Sequence, residues 1–174
     1  MTAAAPEEIK NILNKHAAWL RGEEGGERAN LQGMNLSEIK LHHANLRYAN
    51  LESVCFEEAN LQKVDLQHAN CQNAEFWHAN LEGANLSSAD LLNANLEGAN
   101  LKAATLVEAN LGCARLANAN VEKASFHRAN MWRADLEGVI LDGAHFQDAN
   151  LAETLLNRGD AVDVAPTQRC SPKP

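Results

Sequence analysis

Large rings are scarce in this sequence: three tryptophans, one tyrosine and four phenylalanines among 174 residues. A core built around a few aromatic side chains is therefore excluded, and any core has to be assembled from leucine and alanine. Basic charge is also in deficit. The net charge is −8, so direct binding of nucleic acid or of an anionic membrane is not expected. No stretch approaches the roughly 20 apolar residues needed to cross a bilayer. The start, Met1-Thr2-Ala3-Ala4-Ala5-Pro6-Glu7-Glu8, has neither the basic region nor the apolar run of a secretory signal. The sequence contains no phosphate-binding loop or nucleophile elbow, so an enzyme is not expected. Together with the cysteine pattern described below, these absences point to a cytoplasmic protein in a reducing compartment.

A five-residue phrase runs in unbroken register from Ala29 to Leu151. Its apolar centres fall at Leu31, Leu36, Leu41, Leu46 and every fifth residue onward, 25 in all. Two residues before the centre stands Ala in 20 cases, and one residue before it Asn or Asp in 17. The period fits neither a helix nor a flat strand, and a fixed short period has to be read before any element is assigned.

The phrase A-(N/D)-L-x-x resembles that of the pentapeptide-repeat family, over about three quarters of the chain. The resemblance implies an all-β solenoid, a right-handed quadrilateral β-helix in which four phrases make one coil and residues 20 apart stack. Six coils, and part of a seventh, would then cover residues 29–156. At ~4.8 Å per layer, six coils make a rod about 29 Å long. Residues 1–28 read as an N-terminal module. Pro6, Glu7, Glu8, Arg21 and Gly22 suit the ends of a helix over about 6–21, and Ile9, Ile12, Leu13, His16, Ala17 and Leu20 form its apolar stripe. Such a stripe suits a cap on the open end of a solenoid. Residues 22–28 read as a plain connection. Residues 157–174 lose the pattern, carry three of the four prolines, and are expected to be a disordered or loosely docked tail. The tripeptide Arg158-Gly159-Asp160 within them reads as chance.

Stacking by 20 turns the sequence into columns. On the first face, Asn30, Asn50, Asn70, Asp90, Asn110, Asn130 and Asn150 form a candidate structural ladder, like the Asn ladders of stacked sheets. Phe56 falls over Phe76 on the second face, and Phe126 over Phe146 on the fourth. No cysteine among Cys55, Cys71 and Cys113 shares a column with another. Neither a disulfide nor a metal centre is indicated, and no cofactor is expected. Charges alternate down some columns, as in Glu82, Lys102 and Glu122, in Glu108, Arg128 and Asp148, and in Arg115 over Asp135. On the second face they do not: Glu38 stacks on Glu58 with Glu57 adjoining, Glu75 and Glu97 follow, and Trp77 is expected to be exposed among them. His78 is placed to pair with Glu58. This patch is the candidate contact surface for a protein partner. Leu92, Val107 and Trp132 also project outward by register and form a second candidate, the simplest contact there being a homodimer.

These features favour a non-catalytic scaffold that presents flat rigid faces to a protein. The alternative comes from the resemblance: some members of the family mimic duplex DNA and bind type II topoisomerases. B-DNA carries one charge per ~1.7 Å, so a 29 Å mimic would need about 17 net negative charges. The repeat body has sixteen acids and eight bases, about half that density. The uninterrupted register and the polar, proline-bearing end also depart from the topoisomerase-binding members.

Overall fold

A computed structural model describes residues 5–156; the tail and the tripeptide at 158–160 lie outside the described residues. Each phrase closes with a tight turn in which the Ala amide donates to the preceding centre's carbonyl, as Ala109 does to Leu106 at 3.1 Å. The residue at the turn's third position has positive φ, 58° at Glu108 for example. That is the requirement of a type II turn, for which glycine is favoured. Most phrases nevertheless place a side chain there, from Glu38 to Glu153. The strain is offset by interlayer bonding, which repeats at every phrase whose next layer is described. Leu91 donates to Asn110 O (2.7 Å), Asn93 to Gly112 O (3.0 Å), and Asn110 to Ala89 O (2.9 Å). Every resulting bridge is parallel and joins residues 20 apart, from Asn30↔Asn50 to Asp135↔Leu155. A layer is thus four phrases, and the chain turns four corners per layer.

The interior is apolar and regular. The centres are buried from Leu46 to Met131, and so are the alanines two residues before them from Ala49 to Ala129. Phe56 stacks on Phe76 with ring centroids 5.4 Å apart, and Phe126 on Phe146 at 4.9 Å with a 3° interplanar angle. Cys71 occupies a centre, and burial pushes its thiol pKa far up, so it acts as a small hydrophobe. At the corners, the side-chain oxygen of Asn or Asp accepts the amide two residues on, as Asp90 Oδ1 does from Leu92 at 3.2 Å. On the first face the amides also bond between layers: Asn50 to Asn30 (3.0 Å), Asn70 to Asn50 (3.3 Å), Asn110 to Asp90 (2.9 Å), Asn130 to Asn110 (3.0 Å) and Asn150 to Asn130 (2.9 Å). The row changes partner at Asp90, which has no amide to offer Asn70; Gln72 Nε2 donates to Asp90 Oδ2 instead, at 2.5 Å.

Helix α1 spans Pro6–Leu20, one residue shorter than the sequence suggests, with proline in the first turn and Glu7 and Glu8 beside it. Ile9 and His16 are buried, and Ile12 and Leu13 pack against the core. His16 Nδ1 accepts the Ala29 amide at 3.0 Å, and its ring stacks on Trp19 at 5.7 Å. Trp19 meets Tyr48 edge-on, and Tyr48 stacks on His68. The connection after the helix is more than a spacer. A Cβ at Gly26 would lie 2.3 Å from the Trp19 main-chain nitrogen. Gly26→Ala therefore has to displace helix backbone, and a loss of about 1–3 kcal/mol is expected in urea unfolding.

Burial, the dominant effect, holds the His16 pKa below its ordinary 6.5; the Arg47 main chain works in the opposite direction, and Arg28 adds repulsion. The folded state therefore binds the His16 proton more weakly than the unfolded chain does. The stability this contributes is complete above the unfolded value and is lost as pH falls through the lowered folded one. Protonation also removes the acceptor for Ala29. Below pH 6.5 the unfolding free energy should fall by up to ~1.4 kcal/mol per pH unit. His16→Asn should flatten that slope, measured as urea midpoints between pH 7.5 and 5.

Candidate interaction surface

The residues just before and just after a centre point away from the core, so two outward columns lie side by side on each face. On the second face these columns are Cys55, Glu75 and Asn95 beside Glu57, Trp77 and Glu97. Together the six line a shallow open groove of about 380 Å³. Four of the seven patch residues expected from sequence are thus brought together: Glu57, Glu75, Trp77 and Glu97. Glu38 and Glu58 are exposed at turn positions with φ of 58° and 54°, outside the groove lining.

Trp77 is half-buried, not exposed as the register suggests. Its ring lies against His78, with centroids 4.2 Å apart. His78 in turn approaches the Gly98 carbonyl, with Nδ1 at 3.4 Å, over a position where a Cβ would come within 2.3 Å of that nitrogen. No ion pair joins His78 to Glu58 among the described residues. The charges are also partly answered. Asn95 Nδ2 donates to Glu75 Oε2 at 2.7 Å, and the Arg115 guanidinium pairs with Glu97 rather than with Asp135 below it. Glu57 and Glu75 are the groove carboxylates without an ion-pair partner among the described residues, and Glu75 alone of the two has the Asn95 amide as a hydrogen-bond donor. Cys55 and Asn95 were missed as groove residues, although the column that stacks Cys55 beneath Glu75 already placed them there.

The second candidate surface divides between two faces. Leu92 and Trp132 share a first-face column with Gly112 between them, while Val107 belongs to the fourth face. Leu92 and Val107 are half-buried, and Trp132 is 39% exposed, with the Arg133 guanidinium 5.3 Å over its ring. Gly112 is buried, and a Cβ there would stand 3.1 Å from Leu92 Cδ1, so Leu92 lies down across it. Elsewhere the alternating columns make surface pairs, including Lys102 with Glu122 at 2.6 Å and Arg128 with Glu108 at 3.7 Å. Such pairs contribute little to stability. Among the described residues no cluster of three or more His, Cys, Asp or Glu could hold a metal ion, and no helix is long and apolar enough to cross a membrane.

A family profile for pentapeptide repeats matches residues 27–62, 65–102, 94–133, 104–143 and 122–158, in eight copies. Among solved structures, the chain is similar to HetL from the cyanobacterium Nostoc sp. strain PCC 7120, a pentapeptide repeat protein involved in heterocyst differentiation regulation. The two are 32% identical over 76% of this chain and 64% of HetL, with a TM-score of 0.50. The chain thus spans less than two thirds of that relative. It also resembles full-length QnrB1, a plasmid-mediated fluoroquinolone resistance protein, at 15% identity over 76% of this chain and 79% of that one, with a TM-score of 0.51; this likeness is one of fold alone. A search of curated proteins finds no match. Proteins of this type fold as right-handed quadrilateral β-helices, and on the profile match and the repeating 20-residue bridges this chain belongs to the pentapeptide-repeat family.

Proposed function

We propose that the chain is a non-catalytic scaffold that presents rigid flat faces to a protein partner, with the second-face groove as the contact. About six coils form the body, and α1 caps its N-terminal end. The observation that carries the reading is the half-buried Trp77 set between Glu57, Glu75 and Glu97, an aromatic plane edged by carboxylates. A basic side chain of a partner satisfies both parts, stacking on the indole while a carboxylate neutralises it. No cofactor takes part. The free thiols of Cys55 and Cys113 support a reducing setting such as the cytoplasm. Self-association through Trp132 is the secondary contact, as a homodimer.

Affinity isolation from the native host tests the reading. Trp77→Ala and Glu57→Lys should each lose partners that the parent chain and Trp132→Ala retain. Identical recovery by all four sinks the groove as the contact. A second reading is a DNA-shaped binder of a type II topoisomerase: the repeat body is acidic, although its net −8 is about half the charge density that reading needs. In a supercoiling assay, inhibition of gyrase or its protection from drug at micromolar protein would establish that reading over the scaffold one.

A further inference from the structure

Helix α1 is pinned to the first layer through its C-terminal half, where His16 Nδ1 accepts the Ala29 amide at 3.0 Å and the Glu27 amide donates to Lys15 O at 3.1 Å. Toward its start the helix stands off. A cavity of about 410 Å³ lies between Ile9 and Leu13 of the helix and Leu36, Ile39 and Leu41 at the corner of the second and third faces. Ligand sites have volumes of roughly 300–1,000 Å³ and mostly apolar walls. On the helix side the wall is Pro6, Ile9, Lys10, Leu13 and Asn14, spaced three and four apart along one stripe. Leu13 and Ile39 are only half-buried, so an occupant would cover apolar surface that the packing of α1 leaves uncovered.

Charge decides what fits. The described residues that line the cavity include two exposed lysines, Lys10 and Lys40, and no carboxylate. Glu7 approaches the Lys10 ammonium to 3.9 Å, but both side chains are well exposed and such a pair contributes little. The first layer, residues 29–48, carries one acid, Glu38, against Lys40 and Arg47, the reverse of the acidic body beyond it. A lysine lays its stem along apolar surface and keeps its ammonium in water. The cavity is therefore an apolar floor under a cationic mouth. We infer that it binds a small amphipathic anion, a fatty-acid-like straight-chain carboxylate, with the alkyl tail against Leu13, Leu36 and Ile39 and the head between Lys10 and Lys40. A neutral alcohol of the same length keeps the tail contact and loses the ammonium groups, and a quaternary ammonium meets them with like charge. The site shares no residue with the second-face groove and does not depend on the partner proposed there. A second copy of the chain is the competing occupant.

NMR titration of the full chain with decanoate, decanol and decyltrimethylammonium, each below its micelle concentration, tests this. Decanoate should shift the resonances of Ile9, Leu13, Leu36, Ile39 and Leu41 and leave those of Trp77 and Val107 in place. It should bind roughly three- to tenfold more tightly than decanol, and octanoate about tenfold more weakly than decanoate. Lys10→Gln and Lys40→Gln together, both on exposed side chains, should bring decanoate down to the affinity of decanol and leave decanol unchanged. No shift at the five cavity residues, equal affinity for decanoate and decanol in the parent chain, or binding of the cation as tight as that of decanoate overturns the inference. So does decanoate affinity that survives both lysine changes, or movement of the same resonances with protein concentration alongside a dimer in sedimentation.

Discussion

Phe126→Ala should lower the unfolding free energy by about 3–5 kcal/mol in urea titration. The ring is fully buried and lies parallel to Phe146 at 4.9 Å. Truncation leaves a cavity whose walls cannot collapse, because each wall is pinned by ladder bonds at fixed spacing. Phe146→Ala should cost less, since Phe146 is already 6% exposed. The double variant should cost less than the sum, because each single change already removes the shared stack. Equal losses for the two single variants would mean that the last layer is as well covered as the middle.

Asn110→Asp should cost about 1–3 kcal/mol at pH 7, and the loss should shrink on acidification toward pH 4. Asn110 Oδ1 accepts from Gly112 N at 3.3 Å and Asn130 Nδ2 at 3.0 Å, and its Nδ2 donates to Asp90 Oδ1 at 2.9 Å. The substitution keeps the acceptor and turns the donor into a second carboxylate against Asp90. Like charge raises the folded pKa of the pair above the unfolded value. The penalty is therefore present at high pH and relieved as one carboxyl takes up a proton. Asn130→Asp loses a donor too, but it faces Asn110 and Asn150, so its cost should show little such relief. Thermal or urea midpoints from pH 4 to 7.5 distinguish the two.

The architecture was legible because the five-residue period fixes the register of the phrases and the family resemblance implies four phrases to a coil. Once residues 20 apart are stacked, Phe56 must meet Phe76 and Phe126 must meet Phe146, and they do. The outer surface was less legible, because a column places a side chain without saying which way it leans. Arg115 stands over Asp135 by register, yet its long side chain swings to Glu97. Trp77 points outward by register, yet it lies down against His78, which the missing side chain at Gly98 allows. The connection after α1 read as a spacer because nothing in its composition shows that the Gly26 Cα touches the Trp19 backbone. Leu92 shows the same limit: Gly112, one layer on, lets it fold flat. Backbone position follows from periodicity, whereas side-chain direction depends on which neighbour is small.

Site-specific photocrosslinking bears most directly on the claim that the second face is the contact. A photoreactive residue is placed in turn at position 77, in the groove, and at position 63, exposed at a third-face turn, and both proteins are irradiated in the native host. The scaffold reading predicts a discrete crosslinked partner from position 77, lost when Glu57→Lys is added, and none of that mass from position 63. The same crosslinked species from both positions, or its persistence with Glu57→Lys, would contradict it.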